Sequence, residues 1–285
     1  MRIVEDIREM QKAMEDLRRS GRTIGFAPTM GALHQGHLSL IHAARKACDE
    51  VVVSLFVNPT QFGPREDYQD YPRDIPGDAE KCRNAGVDRL FLPPVGQIYP
   101  SDYRTFVTVE GLSEILCGVT RPGHFRGVAT IVAKLLHIVK PHRLFLGHKD
   151  YQQCVILEKM VRDLNLDLEV VRCPTVRESD GLAMSSRNAY LSPEERRAAT
   201  VLYRSLKAAE TAYREGESRG DALTQLIRNT LKAEPLVRVD YVRLLHPGTL
   251  DDVTQAAGGS VMALAVRIGR TRLIDNHILG ENSEV

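Results

Sequence analysis

Apolar residues recur at helical spacing through Val4, Ile7, Met10, Met14 and Leu17, which predicts an amphipathic helix over residues 4–20. The next stretch, Thr23-Ile24-Gly25-Phe26-Ala27, is apolar without that period and reads as a strand. It leads into Pro28-Thr29-Met30-Gly31-Ala32-Leu33-His34-Gln35-Gly36-His37, a glycine-containing turn. A helical pattern follows from Leu38 to Ala47, with Leu38, Ile41, Ala44 and Cys48 on one face. Val51 to Val57 is a continuous, β-branched apolar run, the pattern of a central parallel strand buried on both faces. It ends in Asn58-Pro59-Thr60-Gln61-Phe62-Gly63-Pro64, a turn-rich loop.

The same alternation continues. A short helix is expected over 78–85, a strand over 87–92 and an extended piece over 106–109. Residues 111–127 are glycine-rich and irregular. A helix follows over 128–139, a strand over 143–146, a helix over 151–164 and a strand over 168–173. Alternating strands and helices predict an α/β fold, a doubly wound parallel sheet with right-handed connections. The pattern changes after Pro174. Asp180-Gly181 marks a turn, and Ser192-Pro193 marks a helix start with Ser192 as N-cap. That helix should run to about Tyr213, and a second should cover 220–233. Strands follow at 236–244, 261–268 and 271–275. The chain therefore divides into a parallel α/β domain over 1–176 and a smaller α+β domain over 177–285.

Its 285 residues suit two domains. With 38 basic and 37 acidic residues the net charge is +1, which offers no broad surface for nucleic acid or anionic membrane. No apolar run approaches the ~20 residues of a membrane helix, and Met1 to Asp6 has no signal-peptide character. The five cysteines are odd in number and scattered. They argue against a disulfide framework or zinc–thiolate site and for a cytoplasmic location.

His34 and His37 sit where a strand ends and a helix begins. One reading is a helix cap with two solvent histidines. Another is an anion site, because helix N-termini carry unpaired N–H groups and partial positive charge. A metal site would need a third ligand, and none is evident. His34-Gln35-Gly36-His37 resembles the HxGH signature of the nucleotidyltransferase superfamily. Longer strings narrow the match: Pro28 to His34, Phe56 to Phe62, Tyr71-Pro72-Arg73, Arg121 to Phe125, Lys149 to Gln153, Asp180 to Asn188 and Ile274-Asp275-Asn276. In this order they closely resemble the pantothenate synthetase (pantoate–β-alanine ligase) family over almost the whole chain.

That resemblance implies a Rossmann-like N-terminal domain, a smaller C-terminal lid and a homodimer. It implies condensation of pantoate with β-alanine through an enzyme-bound pantoyl adenylate, with ATP as substrate and Mg²⁺ on its phosphates. It assigns catalysis to His37, His34, Lys149 and Arg187. ATP contacts would come from Met30, Gly31, Ala32, Leu33, His34, Gln35, Gly36 and His37, from Gly147, His148, Lys149 and Asp150, and from Val176, Met184, Ser185, Ser186 and Arg187. Gln61 and Gln153 would hold the small substrates. Arg121 and His124 fit either a mobile phosphate- or dimer-contacting segment or a structured surface loop. No metal ligands are assigned, and Asp78 is the one acidic candidate for Mg²⁺. The chain departs from the family pattern at His148, where glutamate is common, and at Ile98, where methionine is common. The competing functions are a nucleotidyltransferase that stops at the nucleotidyl adduct and a non-catalytic nucleotide- or RNA-binding relative.

Overall fold

The computed structural model describes residues 1–64 and 66–281. In chain order the first elements are β1 (Arg2–Val4), α1 (Ile7–Arg19), β2 (Ile24–Thr29), α2 (Gln35–Ala47), β3 (Glu50–Leu55), α3 (Ile75–Asn84) and β4 (Arg89–Phe91). Next come α4 (Val95–Ile98), α5 (Cys117–Thr120), α6 (His124–Val139), β5 (Arg143–Gly147), α7 (Tyr151–Asp163) and β6 (Glu169–Cys173). The remainder comprises α8 (Pro193–Ala198), α9 (Val201–Arg214), α10 (Gly220–Lys232), β7 (Val237–Leu245), β8 (Val261–Ile268) and β9 (Thr271–Ile278).

Strands β1 to β6 form one sheet in the order β1-β4-β3-β2-β5-β6, and every pairing is parallel. Chain order reverses between β2 and β5, so the carboxyl ends of these strands flank a topological switch point. Side chains alternate across the sheet. Phe26 and Val52 join Met10, Met14 and the apolar face of α6 on one side. Ala27, Val51 and Val53 join Leu40, Ile41 and Ala44 of α2 on the other. Strands β7, β8 and β9 form a separate antiparallel sheet, whose core includes Leu206, Leu223, Ile227 and Leu264. The chain clusters into two compact units. One is Met1–His148 with Gln152–Pro174; the other is Thr175–Val285 with the short segment Lys149–Tyr151.

Several sequence expectations need correction. Residues 2–4 are a strand paired with β4, and α1 starts at Ile7 because Asp6 accepts the Glu9 N–H at 2.9 Å. Helix α2 starts at Gln35, and Leu40 joins Ile41 and Ala44 on its buried face, with Leu38 partly buried against the same core. Residues 106–109 join no sheet. Val107 instead donates its N–H to the Thr130 hydroxyl of α6 at 2.9 Å, and Arg126 covers the Phe106 ring. Helix α6 starts four residues before Val128, at His124. The helix expected over 193–213 is interrupted at Ala199-Thr200, where the Thr200 hydroxyl binds the Arg197 carbonyl at 2.8 Å. Ser192 caps α8 as expected, with Glu195 closing a capping box.

His142 ties the loop before β5 to β2, its Nδ1 accepting the Ile24 N–H at 2.9 Å. Burial, then the charge of Arg18, holds its pKa below the ordinary 6.5. Burial does the same for His277, against an opposing pull from Glu210. The unfolded chain therefore binds these protons more readily than the folded chain. The associated stability is complete above 6.5 and is lost as pH falls below it, toward the folded-state values. The midpoint of urea unfolding should drop across that window. It should drop less in His142→Asn, which cannot titrate there.

Candidate active site

The turn between β2 and α2 is built around a buried carboxylate. Gly31 and Ala32 both adopt positive φ, at +91° and +51°. For Ala32 that conformation costs about 1 kcal/mol. It points the N–H groups of Ala32 and Leu33 at Asp78 of α3, with distances of 2.7 and 2.8 Å to its two oxygens. Asp78 is 1% exposed. Lys81 lies 3.6 Å from the same carboxylate and donates to the Leu33 carbonyl at 2.9 Å.

His34 and His37 follow at once. His34 is the N-cap of α2, its Nδ1 accepting the Gly36 N–H at 3.1 Å. The His37 Nδ1 accepts the His34 N–H at 3.3 Å, and the ring centroids are 4.1 Å apart. A ring nitrogen that accepts an N–H carries no proton, so each neutral ring bears its proton on Nε2. The histidines therefore cap the helix and also have Nε2–H as their donor atom. The expectation that backbone N–H groups of this turn face an anion needs correction. Those of Ala32, Leu33, His34 and Gly36 are hydrogen-bonded within the protein.

Gln61, in the one-turn helix Pro59–Gln61 after β3, is buried rather than solvated. Its Nε2 donates to the Met30 sulfur at 3.1 Å, and its Oε1 accepts from Asn58 at 3.0 Å. Met30 thus does not merely fill core. Asn58, 1% exposed, also donates to the Gly127 carbonyl and accepts from Tyr99 at 2.8 Å. Burial pushes the Tyr99 hydroxyl up to about 12, so it remains a donor. Beneath Gln61, Arg121 grips Glu66 through two bonds of 2.6 and 2.8 Å and contacts His124, whose Nδ1 lies 2.8 Å from the Gln61 carbonyl. Burial alone would raise the Glu66 carboxyl. The Arg121 fork and the Gly63 N–H outweigh it and hold the group below 4.5. Arg121 and His124 are thus parts of a structured loop. Gln153, on α7, is half-buried. Its neighbour Gln152 is buried and fastens residues 112–117 through Leu112, Ile115 and Cys117.

Gly147 ends β5, and His148 opens the one-turn helix His148–Asp150. In the second compact unit, the Lys149 ammonium is 3.9 Å from Asp150. Val176 accepts the Met184 N–H at 3.0 Å, so its carbonyl closes a small hairpin with the bridge Arg177–Ala183. Ser185 caps the short helix Ser186–Tyr190 by accepting the Arg187 N–H at 3.3 Å. Asn188 fastens that helix to Glu178 and to the Ala183 carbonyl.

Among the described residues, no group of three His, Cys, Asp or Glu side chains is arranged to hold a metal ion. Asp78 accepts one hydrogen bond from the turn on each of its oxygens. The turn-holding role of Asp78 and the roles of Asn58 and Glu66 were missed from sequence. The only signal was an acidic residue in the first turn of α3, where a capping role competes with every other.

A sequence profile described as Pantoate-beta-alanine ligase matches residues 2–278. The chain belongs to the pantoate–β-alanine ligase family. It is 53% identical over 281 residues to the pantothenate synthetase of Pelotomaculum thermopropionicum, covering 99% of this chain and 100% of that one. It is 52% identical to the pantothenate synthetase of Thermotoga neapolitana, covering 98% and 100%. The crystal structure of pantothenate synthetase from Thermus thermophilus is similar at TM-score 0.93 and 47% identity, covering 98% of this chain and 99% of that one. The pantoate–β-alanine ligase of Francisella tularensis, complexed with β,γ-ATP and β-alanine, matches at TM-score 0.80 and 36% identity, covering 98% and 97%. This member of the ligase family is thus an enzyme that forms a carbon–nitrogen bond. No helix among the described residues is long and apolar enough to cross a membrane.

Replacing Asp78 by Asn keeps the shape but sets an NH₂ group against one of the two N–H donors. We expect a stability loss of about 1–3 kcal/mol, read from urea unfolding, and a fall in ligase activity because the His34–His37 turn loses its anchor.

Proposed function

We propose that this chain condenses pantoate with β-alanine in two steps driven by ATP. The pantoate carboxylate attacks the α-phosphorus of ATP, pyrophosphate leaves, and a pantoyl adenylate forms. The β-alanine amine then attacks the adenylate carbonyl and AMP leaves. Pantoate is already ionised at neutral pH, so the first step needs alignment and charge stabilisation rather than a general base. The observation that carries this reading is the tautomer imposed on His34 and His37. Each accepts from a backbone N–H through Nδ1 and has its proton on Nε2, beside the switch point of the sheet. Two such donors suit the oxygens of an α-phosphate whose charge grows in the transition state.

In this proposal Lys149 and Arg187 neutralise the departing pyrophosphate, Lys149 as a point charge and Arg187 as a planar fork. The loops Met30–His37, Gly147–Asp150 and Val176 with Met184–Arg187 bind ATP, and Gln61 and Gln153 hold pantoate and β-alanine. Gln61 offers an amide fixed on both sides, which suits a hydroxy acid. Mg²⁺ would be held by phosphate oxygens and water, since the described residues supply no cluster for it. The β,γ-ATP and β-alanine complexed with the Francisella tularensis enzyme support these substrates. A domain over 1–176, a lid over 177–285, a homodimer and a cytoplasmic location complete the proposal.

AMP release measured with pantoate and β-alanine omitted in turn tests the sequence of steps. Pyrophosphate exchange into ATP should require pantoate alone, and AMP release should require both. AMP release without an amine would instead favour a nucleotidyltransferase that stops at its adduct. His37→Ala should lower the adenylation rate by about 10²–10³-fold.

The platform under Gln61 has its own test. A Cβ on Gly127 would sit 2.3 Å from the Thr60 carbonyl oxygen and 2.7 Å from the Gln61 Cα. Gly127→Ala should therefore displace Gln61 and raise KM for pantoate by about tenfold, with less effect on KM for ATP.

A further inference from the structure

Ile274-Asp275-Asn276, one of the strings that mark the family, has no part in the proposed chemistry. It lies in β9, an edge strand of the antiparallel sheet. Asp275 and Asn276 are 2% and 7% exposed. An amide and a carboxylate so deeply buried require partners, and their partners lead to Lys149. The Asn276 Nδ2 donates to the main-chain carbonyl of Lys149 at 2.9 Å. Behind it, Asp275 accepts the Asn276 N–H at 2.8 Å and takes both arms of Arg177, at 2.7 and 2.9 Å. Arg177 also donates to the carbonyls of Asn276 and Gly181, and its guanidinium lies 4.1 Å from the centre of the Tyr203 ring.

We propose that Asn276 is a positioning residue for Lys149, acting through the Lys149 carbonyl, with the ion pair between partly buried Arg177 and buried Asp275 as its anchor. The short segment Lys149–Tyr151 clusters with the C-terminal unit although it follows a strand of the parallel sheet. Asn276 holds it there at one end, and the Tyr151 hydroxyl, bonded to the Pro247 carbonyl at 3.0 Å, holds it at the other. Arg177 also braces the hairpin that ends at Met184, directly before Ser185, Ser186 and Arg187. One ion pair thereby sets the register of both the lysine and the serine–arginine loop. An ammonium on a four-carbon stem reaches a phosphate productively only if its backbone origin is fixed. This role rests on Lys149 being a phosphate contact, as proposed above.

The test is a double-mutant cycle on the full-length enzyme with kcat, KM and thermal midpoint read together. Asn276→Ala should lower kcat by about 10–100-fold with KM for β-alanine little changed, and the thermal midpoint should shift by only a few degrees. In a Lys149→Ala background the same substitution should change kcat less than about twofold. Asn276→Ser, polar but too short to reach the carbonyl, should repeat the effect and serves if the alanine variant does not fold. Equal losses in both backgrounds, or full activity of a folded Asn276 variant, would overturn the inference while leaving Lys149 in place. Full activity of Lys149→Ala alone would instead remove the role of Lys149, and with it any role in positioning it.

Discussion

A single buried carboxylate organises the turn between β2 and α2. The turn needs Gly31 and Ala32 in left-handed conformation, and this leaves the N–H groups of Ala32 and Leu33 converging on one point. Two convergent donors away from water require an acceptor, and an ionised one answers best. Asp78 supplies it from α3, more than forty residues along the chain. The path of Met30 to His37 then follows, and with it the placement of both histidine rings. Without Asp78 the turn would carry a strained alanine and lose the charged acceptor of the Ala32 and Leu33 N–H groups.

The same arrangement recurs in the other loops. Each of the following side chains proposed to meet substrate is held in place by a neighbouring group. The His37 Nδ1 is held by the His34 N–H and the His34 Nδ1 by the Gly36 N–H. Gln61 is fixed by Asn58 on one side and by Arg121, His124 and Glu66 beneath. Lys149 is held by Asn276. For a reaction whose first step needs orientation more than proton transfer, such supports are the larger part of the machinery. They also explain why Arg121 and His124, which resemble phosphate contacts in the sequence, are occupied within the protein. Their hydrogen-bonding capacity goes to Glu66 and the Gln61 carbonyl.

Long periodic segments were legible from residue order. The run Val51 to Val57 announced a doubly buried strand, and the shorter β3 is buried along nearly all its length. Ser192-Pro193 announced the start of α8 because a cap is a local contact. Two of the failures were non-local. Arg2–Val4 is a strand only because β4 offers a parallel edge to it, and three residues carry no period of their own. Residues 106–109 have strand composition, yet Thr130 and Arg126 of α6 satisfy them instead of a sheet. The break at Ala199-Thr200 carries neither glycine nor proline to mark it. It follows from a threonine hydroxyl competing for a helix carbonyl.

By itself the order of residues determined the α/β alternation, the presence of C-terminal strands, the family and the chemical types available at the strand ends. These depend on local periodicity and on contiguous strings, which sequence displays directly. Only the tertiary structure decided which atoms remain to act. The Nδ1 edges of His34 and His37 are taken by backbone N–H groups, Asp78 is taken by the turn, and the Lys149 carbonyl is taken by Asn276. Each of these is a contest for hydrogen bonds among groups brought together by folding. Its outcome depends on distance and burial in three dimensions, and neighbours in sequence do not reveal it.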